Sequence, residues 1–410
     1  MAGQVFVIVG ASLAGAKAAQ GLREGGFDGR IVLIGEEPCL PYARPELSKG
    51  YLLGTKAMAD MLVHPSGFYA EHDIEVEMAT TVTGIERAAS RVQMSNGESL
   101  QYDRLLLATG ATPRALDMPG VDLPGVVSLR TLADADILRE QIAQAGRVVV
   151  VGAGWIGCEV AACARTLGAQ VSMLTPDAFP LVRVLGPEVG AVFADLHTEH
   201  GVDLHLGTGV ESVVGVDRAQ GVRTTDGETI EGDLIVMGVG AAPRDGLARR
   251  AGLEVDNGIL VDEFLTTSDP RILAAGDVAN AWHPLLGARL RVEHWDNAIK
   301  QGLAAAANML GTPTAFTQLP FFYSDQYEFG MEYRGHATSW DQVVFRGDPA
   351  SLEFCAFWLH QGRVLAAMNA NIWDQGDALN SLLRSGASPS PERLADPTVA
   401  LADLIPGGGT

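Results

Sequence analysis

Residues 148–160 read Val-Val-Val-Val-Gly-Ala-Gly-Trp-Ile-Gly-Cys-Glu-Val. A β-branched run gives way at once to Gly152, Gly154 and Gly157, with Trp155 and Ile156 between the last two, and then to helix formers that include Glu159. That order predicts a strand, a tight turn and a helix N-terminus, the arrangement that receives a dinucleotide pyrophosphate. Gly152 permits the turn, Gly154 lets phosphates approach the backbone, and Gly157 lets the helix pack close to the strand. Glycine-rich turns are common, so the motif alone says little. Its address says more, because a dinucleotide fingerprint in mid-chain means that something else is built before it.

An earlier copy stands at residues 5–15, Val-Phe-Val-Ile-Val-Gly-Ala-Ser-Leu-Ala-Gly. Gly10 and Gly15 keep their places, Ser12 replaces the middle glycine, and Leu13 and Ala14 open the helix. That helix runs to Gly25-Gly26 and is followed by a strand over 30–35 and by Glu36-Glu37. An acid about 20 residues beyond the glycines suits the ribose diol of an adenosine. Further on, residues 96–114 and 226–244 align without a gap at a shift of 130, pairing Asp103 with Asp233, Gly110 with Gly240 and Arg114 with Arg244. A whole domain is therefore duplicated. Two dinucleotide-binding domains imply two dinucleotides, one flavin and one nicotinamide. In the second copy the strand over 170–174 ends at Thr175 instead of an acid, and the nearest arginine is Arg183. NADH is favoured over NADPH, and the choice stays open.

The chain of 410 residues has 47% hydrophobic and 19% charged residues, which suits a globular protein of two or three domains. Acidic residues outnumber basic ones, 50 to 29, for a net charge of −21. This argues against nucleic acid or an anionic membrane as partner. No apolar run has membrane-spanning length and no signal peptide precedes the first strand, so a cytoplasmic protein is expected. Four cysteines make no disulfide framework and no metal pattern. Cys158 and Cys163 read as small core residues. Cys39 is a packed thiol or a redox centre.

Between the motifs, residues 38–50 hold three prolines and predict an ordered loop. Thr131 with Asp134 has the form of a capping box. Residues 187–200 predict an amphipathic helix starting at Pro187. Gly276-Asp277 ends a buried strand, where ligands of parallel sheets bind. From Pro320 the chain becomes rich in Phe, Tyr and Val and predicts a smaller α+β domain with a hairpin turning at Gln361-Gly362. The last twenty or so residues, with four prolines and Gly407–Gly409, are expected to form a loose tail.

Gly10–Gly15, residues 44–49 (Arg-Pro-Glu-Leu-Ser-Lys), 108–110 (Ala-Thr-Gly), 129–131 (Leu-Arg-Thr), Gly152–Glu159, 275–279 (Ala-Gly-Asp-Val-Ala) and 322–327 (Phe-Tyr-Ser-Asp-Gln-Tyr) together resemble one family. It is that of the FAD-dependent, NADH-linked ferredoxin reductases serving cytochrome P450s and Rieske-type oxygenases. The resemblance spans about residues 4–370, and the last motif is its most specific part. It implies an α/β fold with two Rossmann-like domains, duplicated as in glutathione reductase, plus a C-terminal α+β domain. FAD would lie on residues 1–112 and 246–319, NAD(P)H on 113–245, and the third domain, 320–410, beside the flavin.

By that resemblance Gly10, Ser12, Leu13, Ala14, Gly15 and Arg44 hold the FAD phosphates and Glu36 its ribose. Lys49, Val82, Ala108, Arg130, Gly276, Asp277 and Trp295 line the flavin and its ribityl chain. Gly152, Gly154, Trp155, Ile156, Gly157, Glu159, Thr175 and Gly240 hold the nicotinamide coenzyme. Ser12, Glu46, Thr175 and Tyr323 depart from residues usual in the family. The implied reaction carries hydride from NADH to FAD and then single electrons to an iron–sulfur ferredoxin, which feeds a P450 or Rieske oxygenase. No metal is required. Lys49 and Glu159 are the expected catalytic pair, with the cation favouring negative charge on the flavin. A basic docking patch is expected among Arg289, Arg291, Arg334 and Arg346. Rival readings are an NADH oxidase or peroxidase using Cys39, a signalling flavoprotein of the apoptosis-inducing-factor kind, and an electron donor to rubredoxin or nitrite reductase.

Overall fold

The computed structural model describes residues 3–405. They divide into two compact units. One comprises the chain up to Pro45, Ala57–Thr112 and Ala241–Gln318; the other comprises Glu46–Lys56, Pro113–Gly240 and the chain from Leu319 onward.

The first unit is built on a parallel five-stranded sheet in the order Ile272–Ala274, Arg104–Leu107, Val5–Val9, Arg30–Ile34, Ile74–Glu77. Its central strands are nearly continuous runs of Val, Ile and Leu, as sheets covered on both faces require. Phe6, Val7, Ile8, Ile31 and Leu33 are buried in one core with Leu22 from the helix Leu13–Glu24. Beside it the chain forms an antiparallel three-stranded meander of Val82–Glu86, Arg91–Met94 and Ser99–Gln101.

The second unit repeats the plan with Val202–Leu206, Gln170–Thr175, Arg147–Val151, Leu234–Met237 and Val126–Val127. The duplication extends to single hydrogen bonds. Asp103 Oδ2 accepts from the Val5 amide at 2.7 Å, and Asp233 Oδ2 accepts from the Arg147 amide at 2.9 Å. Each acid caps the first amide of its central strand. Gly10 N–H donates to the Ile34 carbonyl, and Gly152 N–H to that of Leu174, both at 2.8 Å.

Also in the second unit is an antiparallel sheet ordered Phe321–Gln326, Phe329–Gly335, Arg363–Ala370, Glu353–His360, Gln342–Asp348. Gln361 and Gly362 both take positive φ (50° and 77°), which matches the twist of a tight hairpin. Trp358 is fully buried, and its indole N–H donates to the Leu185 carbonyl at 2.9 Å. The capping box is present: Thr131 Oγ1 accepts from the Asp134 amide and the Asp134 carboxylate from the Thr131 amide.

Three expectations need correction. Within the 38–50 loop, Arg44–Ser48 forms a short 3-10 helix; proline at its second position costs no hydrogen bond there. The helix expected over 187–200 begins earlier, as Val182–Glu199, and is broken at Gly186 (φ 81°), so Pro187 restarts it. The tail is not loose as far as Ile405: Pro391–Ala395 is helical, capped by Ser390, and Leu394, Leu401 and Leu404 are buried in the third domain's core. Proline tolerates a helix start, and the leucines supply the apolar contacts. Gly407–Gly409 lie outside the described residues.

Candidate functional site

In the first unit the Val5–Val9 strand delivers Gly10 to a turn at φ 119°. A Cβ there would lie 2.0 Å from the Ala108 carbonyl oxygen, and one at Gly15 would lie 2.0 Å from that of Gly10. Only glycine lets the helix and the neighbouring strand close on this turn. Beside it lies a cleft of about 320 Å³ lined by Gly10, Glu36, Thr80–Val82, Thr109 and Arg244. Glu36 and Arg244 form a bidentate pair at 2.6 and 2.7 Å, and this bonding holds the Glu36 carboxyl below the usual carboxylate range. Arg44 donates to Glu37 at 2.5 Å and to Ser12 Oγ at 3.3 Å, so the serine in the middle-glycine place has a partner of its own. Asp277 lies near enough to Arg44 to stabilise its charge. Gly276 donates to Gln301 Oε1 at 2.8 Å, Leu13 and Ala14 are buried, and Trp295, 37% exposed, starts the helix Trp295–Met309.

Cys39 is half-buried, and burial followed by the nearby Glu37 charge pushes its thiol up. That is the reverse of what a reactive thiolate needs.

In the second unit, Gly152 (φ 102°) and Gly157 repeat the close approaches: their Cβ positions lie 2.4 Å from the Gly238 carbonyl oxygen and 2.0 Å from that of Gly152. At Gly154 the nearest atom is 4.0 Å away, so that position is open. Trp155 packs on Phe322 at 4.7 Å, Ile156 is 42% exposed, and Gly240 turns at φ 95°. Thr175 is buried, with its hydroxyl accepting from the Asp177 amide at 3.2 Å. The Arg130 amide is tied to Asp134.

One helical turn after Gly154 sits Glu159, 4% exposed. Lys49 Nζ lies 2.6 Å from its Oε1. Ser324 Oγ donates to the same oxygen at 2.7 Å, and Ser48 Oγ to Oε2 at 2.5 Å. The chain continues inward. Gln326 Nε2 donates to Ser324 Oγ at 3.0 Å, and its Oε1 faces His197 Nε2 at 3.0 Å. Burial pushes His197 down to about 4, so it is neutral near pH 7 and donates from Nε2, leaving Nδ1 to face the Tyr327 hydroxyl at 3.4 Å. The Lys49 ammonium also stands 5.5 Å over the Tyr323 ring. Burial raises the Asp325 carboxyl, and nearby Lys49 opposes that rise.

Lys49 and Glu159 are thus brought together as expected. Ser48, Ser324, Gln326 and His197 join that pair, and Arg244 joins the cleft, without being among the expected site residues. Arg244 carried a usable signal, its place in the repeated Ala-Thr-Pro-Arg and Ala-Ala-Pro-Arg motif. Of the four arginines expected in a basic patch, Arg289 is the exposed one. Arg291 and Arg334 are 10% and 8% exposed and pair with Glu293 and Glu332, while Arg346 donates to the Pro397 and Val399 carbonyls. Among the described residues, no group of three or more His, Cys, Asp or Glu is placed to hold a metal ion, and no helix is long and apolar enough to cross a membrane.

Two glycine-turn sheets of this kind with an appended antiparallel domain define a class. The chain belongs to the pyridine nucleotide-disulphide oxidoreductase family, whose model matches residues 5–302, and residues 321–405 match the reductase C-terminal domain. It is 41% identical to the anthranilate 1,2-dioxygenase system ferredoxin–NAD(+) reductase component of Burkholderia cepacia, over 99% of this chain and 100% of that one. It is 37% identical to putidaredoxin reductase CamA of Pseudomonas putida, over 97% and 96% of the two chains. The fold matches that of putidaredoxin reductase in its covalent complex with putidaredoxin, with a TM-score of 0.95 at 36% identity over 100% and 99% of the chains.

Proposed function

We propose that this protein is an FAD-dependent ferredoxin reductase, taking electrons from NADH and passing them to an iron–sulfur ferredoxin of a Rieske oxygenase or P450 system. The observation that carries this is end-to-end likeness to such a reductase, 99% of this chain and 100% of the relative, including the third domain.

Residues 1–112 with 246–319 would carry FAD, 113–245 the nicotinamide coenzyme, and 320–410 the C-terminal domain. The first glycine turn and its cleft suit a dinucleotide. Gly10 borders the cleft in a conformation that favours glycine, and Glu36 and Arg244 stand there with a carboxylate and a guanidinium for an adenosine ribose. Ser12, Arg44 and Asp277 would serve the phosphates and ribityl chain. Gly152, Gly154 and Gly157 would cradle the second pyrophosphate. When bound, the flavin supplies the exchange between two-electron and one-electron chemistry.

Lys49 would bring a fixed positive charge to the flavin. Glu159 orients that ammonium, and Ser48 and Ser324 in turn fix both carboxylate oxygens. The raised thiol of Cys39 disfavours a peroxidase based on it. Free cysteines throughout fit a cytoplasmic setting.

Anaerobic NADH should bleach the flavin absorbance of the purified protein. Oxidised iron–sulfur ferredoxin should then restore it. Recovery with dioxygen but with none of a panel of such ferredoxins would favour the oxidase reading.

A further inference from the structure

The strand tip Thr175 offers little surface to an adenosine ribose, because its side chain is buried and its hydroxyl oxygen accepts from the Asp177 amide. Gly10 bonds the Ile34 carbonyl in the first copy, and Gly152 bonds the Leu174 carbonyl in the second. That register puts Pro176, which has no polar side-chain atom, opposite Glu36, and Asp177 opposite Glu37.

The segment carrying Asp177 is pinned across the glycine turn. Leu181 N–H donates to the Ala153 carbonyl at 3.0 Å, between the first two glycines of the fingerprint, and Leu181 takes a φ of 57° to do so. Gly207 N–H donates to the Asp177 carbonyl at 2.9 Å, and Thr208 N–H to that of Thr175 at 2.8 Å. Asp177 is thus fixed beside the phosphate cradle, with its carboxylate 29% exposed. Arg183 Nε lies 2.8 Å from Asp177 Oδ2, and its guanidinium also donates to Oδ1.

We propose that Asp177, braced by Arg183, is the residue that reads the 2′ position of the coenzyme's adenosine ribose and sets the preference for NADH over NADPH. The inference rests on the nicotinamide reading of this glycine turn. A carboxylate accepts a hydrogen bond from a 2′-hydroxyl and repels a 2′-phosphate. While Asp177 is present, Arg183 is neutralised. Without it, a free guanidinium would stand where a phosphate could use it.

The test is calorimetric titration of the purified flavoprotein with ADP-ribose and with 2′-phospho-ADP-ribose, probes that need no turnover. Wild-type protein should prefer ADP-ribose. Asp177→Ala should shift the ratio of affinities toward the phosphorylated probe by about tenfold or more, the weight of one nearby charge. Adding Arg183→Ala should remove most of the gain for the phosphorylated probe. Asp177→Asn, which keeps the shape, should shift the ratio in the same direction and guards against a folding defect in the alanine variant. If both probes bind and neither Asp177 variant changes their ratio, the assignment of Asp177 is overturned. If neither probe binds wild-type protein, the nicotinamide reading of the turn fails and this inference goes with it.

Discussion

Lys49 Nζ lies 2.6 Å from Glu159 Oε1, with the two side chains only 13% and 4% exposed. A charge pair this deep is costly to desolvate, and a pair of apolar residues could serve the fold as well. Its carboxylate, Glu159, also sits on the first turns of the helix that follows the second glycine fingerprint. Both facts favour a working pair over a structural one.

Lys49→Met keeps the length of the side chain and removes the charge. The rate at which NADH bleaches the flavin, followed by anaerobic stopped flow, should fall by about tenfold or more. Stability should also drop by about 3 kcal/mol, since Glu159 loses its cation while buried. An unchanged bleaching rate would leave the pair a structural one.

Gln326→Leu interrupts the hydrogen-bonded chain behind Glu159. It leaves Ser324 without the donor at 3.0 Å and His197 without the acceptor. The expected cost is about 1–3 kcal/mol in denaturant unfolding. A larger change in the pH profile of flavin bleaching than in stability would show that the chain also orients the carboxylate.

His197 gives a signed pH effect. Its folded value is pushed down to about 4 by burial, against about 6.5 in an unfolded chain. Between those values the unfolded state binds the extra proton, so stability rises with pH there and is lost as pH falls. The loss between pH 7 and pH 5 should be about 2 kcal/mol from this residue. His64, also pushed down to about 4 by burial, adds in the same direction. His197→Gln should flatten the curve by its own share; an unchanged slope would mean that the ring charges inside the fold.

The glycines separate packing from binding. Gly157→Ala puts a Cβ 2.0 Å from a backbone oxygen, whereas at Gly154 nothing stands within 4 Å apart from the Gly238 oxygen at 4.0 Å. Gly157→Ala should therefore lower the melting temperature and coenzyme affinity together. Gly154→Ala should leave melting within about 0.5 kcal/mol of wild type and weaken NADH binding alone.

The duplicated sheets and the hairpin at Gln361-Gly362 were legible because they rest on local signals: β-branched runs, glycines at fixed offsets and a turn pair. The Lys49–Glu159 pair was legible through family likeness, since 110 residues of chain separate the two. The supporting serines, Gln326 and His197 were not, because a buried hydrogen-bonded chain drawn from a 3-10 turn, a strand and a helix has no sequence period. The tail was misread because four prolines outweighed Leu394, Leu401 and Leu404, whose burial depends on a core that only the fold assembles. Arg291 and Arg334 were misread for the same reason: a charge count does not show which arginines are spent inside.

The activity proposed for this chain is electron delivery from NADH to an iron–sulfur protein. Its most direct test is steady-state cytochrome c reduction driven by NADH, with and without ferredoxins of Rieske oxygenase and P450 systems. A cognate ferredoxin should raise the rate at least tenfold over the protein alone, on the order expected when a specific docking partner carries the electrons. A rate that no ferredoxin changes, with NADH consumed at the same speed by dioxygen alone, would contradict it.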